Sequence, residues 1–204
     1  KFFASVDQRI LMDILARYIP DERTNALLAE IVGSFRSPRV HHSPPYLSLP
    51  IGTDKYVEEK MCRVGLPLGN LTSQLLVNIY MNEFDRFVKH KLKAKYYVRY
   101  ADDFVILHRD RRALEALLPQ VRAFLSDCLA LSLHPDKVSI SSFASGVDFL
   151  GWVHFTDHRV LRTATRRRML QRLAERAGSE GEEATRRSYR GMLGHGNAGK
   201  LTRP

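Results

Sequence analysis

The chain has little cysteine, one tryptophan and no long apolar run. Its two cysteines, Cys62 and Cys128, are too few and too far apart for a zinc site or a secreted disulfide framework, so both read as ordinary thiols of a reducing compartment. No stretch approaches the ~18 consecutive apolar residues that a membrane-spanning helix needs, and no signal-peptide pattern opens the chain. A soluble, cytoplasmic protein with no membrane partner is expected. Acidic residues are also in deficit, with 22 Asp+Glu against 32 Lys+Arg and a net charge of +10. Residues 155–204 hold 12 Lys+Arg against 5 Asp+Glu and so supply +7 of that charge. Such a surface fits a polyanion, because each cation placed near a phosphate releases condensed counterions. A solvated helical face interleaving Arg with Glu would have the same composition.

What is present is a succession of short strands and amphipathic helices. Residues 2–6, Phe-Phe-Ala-Ser-Val, read as a strand cut off mid-element, which makes the chain look like a fragment; Asp7 is the expected N-cap of the helix that follows. That helix carries Ile10, Leu11, Ile14, Leu15 and Tyr18 at helical spacing and ends at Pro20. A second helix is expected over 22–34 with Leu27, Leu28, Ile31 and Val32 inward. Residues 36–67 hold five of the nine prolines and read as a loop-rich connection; the adjacent His41 and His42 there have no partner cluster for metal binding. A long helix is expected from Leu71 to Lys91, with Asn82, Glu83, Asp85 and Arg86 on its wet side. Tyr96–Tyr100 and Phe104–Leu107 flank Ala101-Asp102-Asp103 as a hairpin. A helix over Arg112–Ala130, strand-like pieces at Lys137–Ser141 and Val147–Phe155, and a basic helical tail broken by Gly178 to Gly181 complete the reading.

The chemistry centres on Asp102 and Asp103. Two adjacent carboxylates pinned at a hairpin turn repel one another unless a cation neutralises them. Hard oxygen ligands favour Mg²⁺ or Mn²⁺, and two such ions ~3.5–4 Å apart can activate an attacking hydroxyl and stabilise a leaving pyrophosphate. An acidic surface turn is the bland alternative, and an Asp-Asp pair alone would favour it.

Context reverses that balance. Tyr100-Ala101-Asp102-Asp103 is preceded by the block Gly65-Leu66-Pro67-Leu68-Gly69-Asn70-Leu71-Thr72-Ser73-Gln74 and followed by His134-Pro135-Asp136-Lys137 and Val147-Asp148-Phe149-Leu150-Gly151-Trp152. In this order the blocks resemble the motif succession of reverse transcriptases, over residues 1 to about 200. The Gly69 to Gln74 form, with Leu68 where many of these enzymes have Gln and Gln74 where many have Pro, most resembles the enzymes of diversity-generating retroelements, whose copying is error-prone at template adenines.

The resemblance implies roles. Asp102 and Asp103 would be catalytic metal ligands, and the third metal-binding Asp would lie five residues before Phe3, upstream of residue 1. Phe3 maps to the aromatic gate that rejects a ribose 2′-hydroxyl; with Ala4, Leu68, Gly69 and Gln74 it would line the nucleotide site. Gly69 would let the backbone approach the nucleotide, ahead of a helix N-terminus that favours anions. Lys137 would protonate the leaving pyrophosphate, a role worth ~10²-fold. Tyr100, Leu150, Gly151, Trp152, Arg166, Arg167 and Arg168 would contact primer and template, with Arg172, Arg176, Arg186, Arg187, Tyr189 and Arg190 continuing a basic thumb along the backbone.

The expected fold is α+β: a polymerase palm over 1–157, an antiparallel sheet with helices on one face and the N-terminal part missing, then a truncated basic helical thumb over 158–204. The implied activity is RNA-directed DNA synthesis with two Mg²⁺ ions, Mn²⁺ serving in their place. The implied partners are template RNA, primer with its cDNA, dNTP and a small basic accessory protein, in a bacterial or phage-encoded setting. Rivals are a group II intron, retron or antiphage-type polymerase, or a non-catalytic RNA-binding relative that keeps the palm as a scaffold.

Overall fold

The computed structural model describes residues 2–35, 64–67 and 69–196. The chain divides after Val138 into two compact units, each with its own sheet and core.

In the first unit, three of the four described α-helices begin where an aspartate caps them. Asp7 accepts from the amides of Arg9 and Ile10 to open α1 (Gln8–Tyr18), and Asp21 accepts from that of Thr24 to open α2 (Glu22–Gly33). Each cap satisfies amides that the first turn would leave unpaired. Helix α3 (Leu71–Arg86) runs on through a five-residue π-helical turn, Phe87–Lys91. Strands β1 (Tyr96–Tyr100) and β2 (Asp103–Leu107) form an antiparallel hairpin, and Asp110 caps α4 (Arg111–Leu129).

The core joins Val6, Leu11, Ile14 and Leu15 to Leu76, Val77, Tyr80, Met81 and Phe84 of α3, to Val88 of the π-helical turn and to Val121, Leu125 and Leu129 of α4. Phe84 meets Tyr97 and Phe104 edge-on, with ring centroids 6.1 and 4.9 Å away, a favoured aromatic geometry. One face of the hairpin therefore packs on helices. The other presents Tyr96, Val98 and Tyr100 to solvent.

In the second unit, β3 (Val147–Phe149), β4 (Trp152–His154) and β5 (Arg159–Leu161) form an antiparallel sheet in that order. Helices α5 (Thr163–Arg176) and α6 (Glu182–Leu193) follow, and Leu161, Met169 and Leu193 form a small core with Trp152, Leu173, Tyr189 and Met192. Helices with small antiparallel sheets are what an α+β chain was expected to give.

Several expectations need correction. Residues 2–6 are no strand: Phe2–Ser5 is a 3₁₀ turn and only Asp7 pairs, in a single bridge to Val64. An apolar run without alternation does not separate a strand from a tight helical turn, and the side chains reach the core either way. Lys137–Ser141 is no strand, since Pro135–Lys137 is a 3₁₀ turn capped by His134 and coil follows; Val147–Phe155 is two strands, and β5 was not foreseen. On α2 only Val32 is buried, while Leu27 is 58% and Ile31 41% exposed. Leu75 of α3, expected inward with Leu76, Ile79, Tyr80, Phe84, Phe87 and Val88 by helical spacing, is 61% exposed. Asp85, placed on the wet side by that same phase, is half-buried against the hairpin. The proline-rich connection, His41, His42, Cys62 and Leu68 lie outside the described residues; Cys128 is exposed. No helix among the described residues is long and apolar enough to cross a membrane.

Candidate active site

The site is built on a turn. Tyr100 pairs with Asp103 at the end of the hairpin, leaving Ala101 and Asp102 as the two turn residues. Ala101 has φ +52°, a conformation that costs an L-residue about 1 kcal/mol or more. Asp102 and Asp103 are both exposed, and among the described residues neither side chain has a hydrogen-bond or ion-pair partner. Tyr100, 66% exposed, stands beside Asp103 on the open face.

Beneath the turn lies a polar clamp that the motif reading missed. Arg99 faces the helices and donates through Nε and Nη2 to Asp85 Oδ1 and Oδ2, at 2.7 and 2.6 Å. Its remaining nitrogen, Nη1, donates to the Ala101 carbonyl at 2.8 Å and reaches Asn78 Oδ1 at 3.4 Å. Tyr97 donates its hydroxyl to Asp85 Oδ1 at 2.6 Å. Burial works against the Asp85 charge, but the Arg99 and Tyr97 hydrogen bonds outweigh it and hold the carboxyl below its usual range. The signal in the sequence was a charged residue at an inward position of an amphipathic strand, which needs a buried acid.

The first two blocks meet through backbone bonds. Gly65 donates to the Val6 carbonyl and Leu66 to that of Phe3, both at 2.8 Å, so the segment of Phe3 and Ala4 and the loop leading to Gly69 are tied side by side. Gln8, buried, donates from Nε2 to the carbonyls of Gly65 and Phe35 at 2.9 and 3.0 Å. A Cβ on Gly65 would stand 2.9 Å from the Phe35 ring, and Gly65 has φ +97°. Phe3 and Ala4 are half-buried, Phe3 against the core. Gly69 has φ +93° with open space where a Cβ would point, so backbone conformation rather than crowding calls for glycine. Gln74 is exposed one helical turn before Asn78 on α3. Lys137 is exposed in its 3₁₀ turn, and its side chain has no partner among the described residues.

In the second unit, Leu150 and Gly151 form the two-residue turn between β3 and β4, with φ +53° and +83°, the signature of a type I′ hairpin. Arg162 fastens it: its amide donates to the Gly151 carbonyl at 3.0 Å and its Nε to Asp148 Oδ1 at 2.7 Å. Trp152 packs on the Leu161, Met169 and Leu193 cluster under the Arg159 guanidinium. Arg166, Arg167 and Arg168 are exposed and turn through successive 100° steps of α5, so they do not share a face. Arg186 and Arg187 instead pair with Glu182 and Glu183 one turn back on α6, at 2.9 and 3.9 Å.

No group of three or more His, Cys, Asp or Glu among the described residues is placed to hold a metal ion. Asp102 and Asp103 fit part of a Mg²⁺ or Mn²⁺ site: they are hard oxygen donors, adjacent, exposed and unpartnered.

The family model described as reverse transcriptase (RNA-dependent DNA polymerase) matches residues 1–154, about three quarters of the chain. Protein YkfC of Escherichia coli (strain K12) is 27% identical over 197 residues. The alignment takes in 81% of this chain and 46% of that protein, so the chain spans about half the length of the curated relative it matches.

Proposed function

Because the chain belongs to the reverse transcriptase (RNA-dependent DNA polymerase) family, we propose that it is the catalytic part of an RNA-directed DNA polymerase, with Asp102 and Asp103 as metal ligands. The observation that carries this reading is the strained turn presenting two unpartnered carboxylates on the exposed end of a hairpin whose other face is locked to helices. The Mg²⁺ ions, when bound, would polarise the primer 3′-hydroxyl and neutralise charge on the leaving pyrophosphate. By the family's spacing a third carboxylate is placed five positions before Phe3.

The residues of the chain have separate tasks in this reading. Phe3 sits beside the nucleotide sugar as the gate, Ala4 next to it, and Gly69 and Gln74 bring the start of α3 to the nucleotide. Lys137 donates the proton to pyrophosphate. The Leu150-Gly151-Trp152 turn holds the primer, and the arginines of α5 follow the template-primer backbone, residues 1–157 acting as palm and 158–204 as thumb. Partners are template RNA, primer and dNTP, with a small basic accessory protein.

The decisive experiment is Asp102→Asn in the full-length protein, assayed for dNTP incorporation on a primed RNA template with Mg²⁺. Removing one charge from the metal site is expected to lower kcat by at least ~10²-fold with an unchanged melting temperature. Full activity of that variant would overturn the reading. The non-catalytic alternative is set apart by the same assay, since it has no incorporation to lose.

Within the family we take the diversity-generating type, on Leu68 and Gln74. An apolar Leu68 in place of a polar contact to the nucleotide loosens control over pairing. Leu68→Gln is expected to lower misincorporation opposite template adenine, scored by sequencing the cDNA; unchanged error would count against this subclass and leave the group II intron and retron types standing.

A further inference from the structure

We propose that Arg99 is a positioning residue that fixes the Asp102–Asp103 turn against α3 in the geometry the metal ions require, with Asp85 as its anchor. This rests on the polymerase reading and deepens it.

The argument begins with what holds the turn. The strand ends of the hairpin are secured by packing, since Tyr97, Phe104 and Ile106 lie on the helical core. The turn itself projects beyond that packing: Tyr100, Asp102 and Asp103 are exposed. Arg99 ties this end of the hairpin to α3: its guanidinium is paired with Asp85 of that helix, and its Nη1 donates to the Ala101 carbonyl at 2.8 Å. That carbonyl belongs to the Ala101–Asp102 peptide. Fixing it fixes the peptide plane, and with it the direction in which the Asp102 side chain leaves the backbone.

The chemistry of the clamp suits this task better than it suits stability. Arg99 meets Asp85 fork to fork through Nε and Nη2, with Tyr97 closing on the same carboxylate. The pairing immobilises the planar guanidinium and aims its third nitrogen at the turn. The Arg99 side chain is only 10% exposed, so the guanidinium is sheltered from competing water, while Asp85 is 30% exposed. Lysine could pair with Asp85 as a point charge but could not also hold the turn carbonyl in a fixed plane. Asn78 reaches Arg99 from α3, four residues after Gln74, so the same guanidinium touches the helix that carries the proposed nucleotide residue. A metal ligand displaced by about 1 Å costs ~10²-fold in rate even when the fold is intact.

The test uses Arg99→Lys and, because that variant could fail to fold, Asp85→Asn as a second one, each in the full-length protein beside Asp102→Asn. Mn²⁺ binding is read by electron paramagnetic resonance without substrate, amide hydrogen exchange is read across residues 100–103, and kcat and KM for dNTP are read on a primed RNA template. Folded Arg99→Lys is expected to bind Mn²⁺ ~10-fold more weakly, exchange faster at the turn, and lose ~10²-fold in kcat while KM for dNTP moves less than ~3-fold. Asp85→Asn is expected to shift the same readouts in the same direction. Wild-type Mn²⁺ affinity and kcat in a folded variant would overturn the role of Arg99, as would a loss confined to melting temperature. If Asp102→Asn keeps its activity, the polymerase reading falls and this inference with it; if Asp102→Asn is dead and the clamp variants are wild type, only this inference falls.

Discussion

Asp85 collects a phenol and two guanidinium nitrogens on one carboxylate, and the three side chains perturb one another in directions that can be measured. The Arg99 guanidinium is pushed up, chiefly by its bond to Asp85. The Tyr97 phenol is pushed up by burial and then by its hydrogen bond to Asp85. A raised phenol contributes stability that is complete below the ordinary tyrosine value of about 10 and is lost as pH rises beyond it. The lowered Asp85 carboxyl contributes stability above the ordinary carboxylate value of about 3.9, lost as pH falls through its folded value. Between those limits neither group should make stability depend on pH. Tyr97→Phe keeps the ring against Phe84 and removes the hydroxyl, so it is expected to cost about 1 kcal/mol at pH 7. Its deficit in melting temperature should then shrink above about pH 10 as the wild type loses the Tyr97 contribution. Tyr80, also pushed up by burial and bonded to the Leu129 carbonyl, is present in both proteins and cancels. Parallel curves from pH 7 to 11 would show that Tyr97 does not carry the alkaline limb.

At the scale of elements, the β1–β2 and β3–β4 hairpins each place a left-handed, non-glycine residue at the first turn position: Ala101 before Asp102 and Leu150 before Gly151. Each turn has a carbonyl held by an arginine, Ala101 by the Arg99 side chain and Gly151 by the Arg162 amide. Such strain costs about 1–2 kcal/mol per residue, and Leu150 is exposed enough that packing does not compensate it. Leu150→Asn gives the Asn-Gly pair that type I′ turns favour and is expected to raise stability by about 0.5–1 kcal/mol, seen as a higher melting temperature. If Leu150 contacts the primer, the same change weakens primer binding, so the stabilised variant extends less well. The β1–β2 hairpin was legible in the sequence because aromatic and β-branched runs flank its turn, a signal carried within a dozen positions; Val147–Phe155, read as a strand-like piece, instead folds back on itself at Leu150-Gly151. The position of Asp102 and Asp103 at the end of β1–β2 was legible with it. The 3₁₀ turn at Phe2–Ser5 was not, because the Phe3 carbonyl within it and the Val6 carbonyl just after it are satisfied by Leu66 and Gly65, some sixty positions on. The Arg99–Asp85 clamp was hidden for a related reason: strand phase places Arg99 inward, but helix phase alone puts Asp85 outward, and only packing of the hairpin on α3 reconciles them.

At the scale of the whole molecule, the excess of +10 predicts a polyanionic partner without saying which arginines meet it. The second unit sorts them. On α5, Arg168, Arg172 and Arg176 stand four residues apart and form one row along the helix, next to the side where Met169 and Leu173 turn inward. Arg166 and Arg167 leave the helix in other directions. On α6, Arg186 and Arg187 already have Glu182 and Glu183 as neighbours, so their field at a phosphate is partly cancelled. Each arginine that neutralises a phosphate steepens the fall of log K against log salt by about 0.7 to 0.9. Replacing Arg168, Arg172 and Arg176 together with Gln is therefore expected to flatten that slope by about 2 to 3 for a primed RNA template, with similar losses on unrelated template sequences. The matching change of Arg186 and Arg187 should flatten it by less than about 1, because pairing with glutamate leaves little charge to release counterions. Fluorescence anisotropy of the full-length variants over a salt series distinguishes the rows; equal slopes for the α5 triple variant and the wild type would remove α5 from the binding surface and move the basic contact elsewhere on the chain.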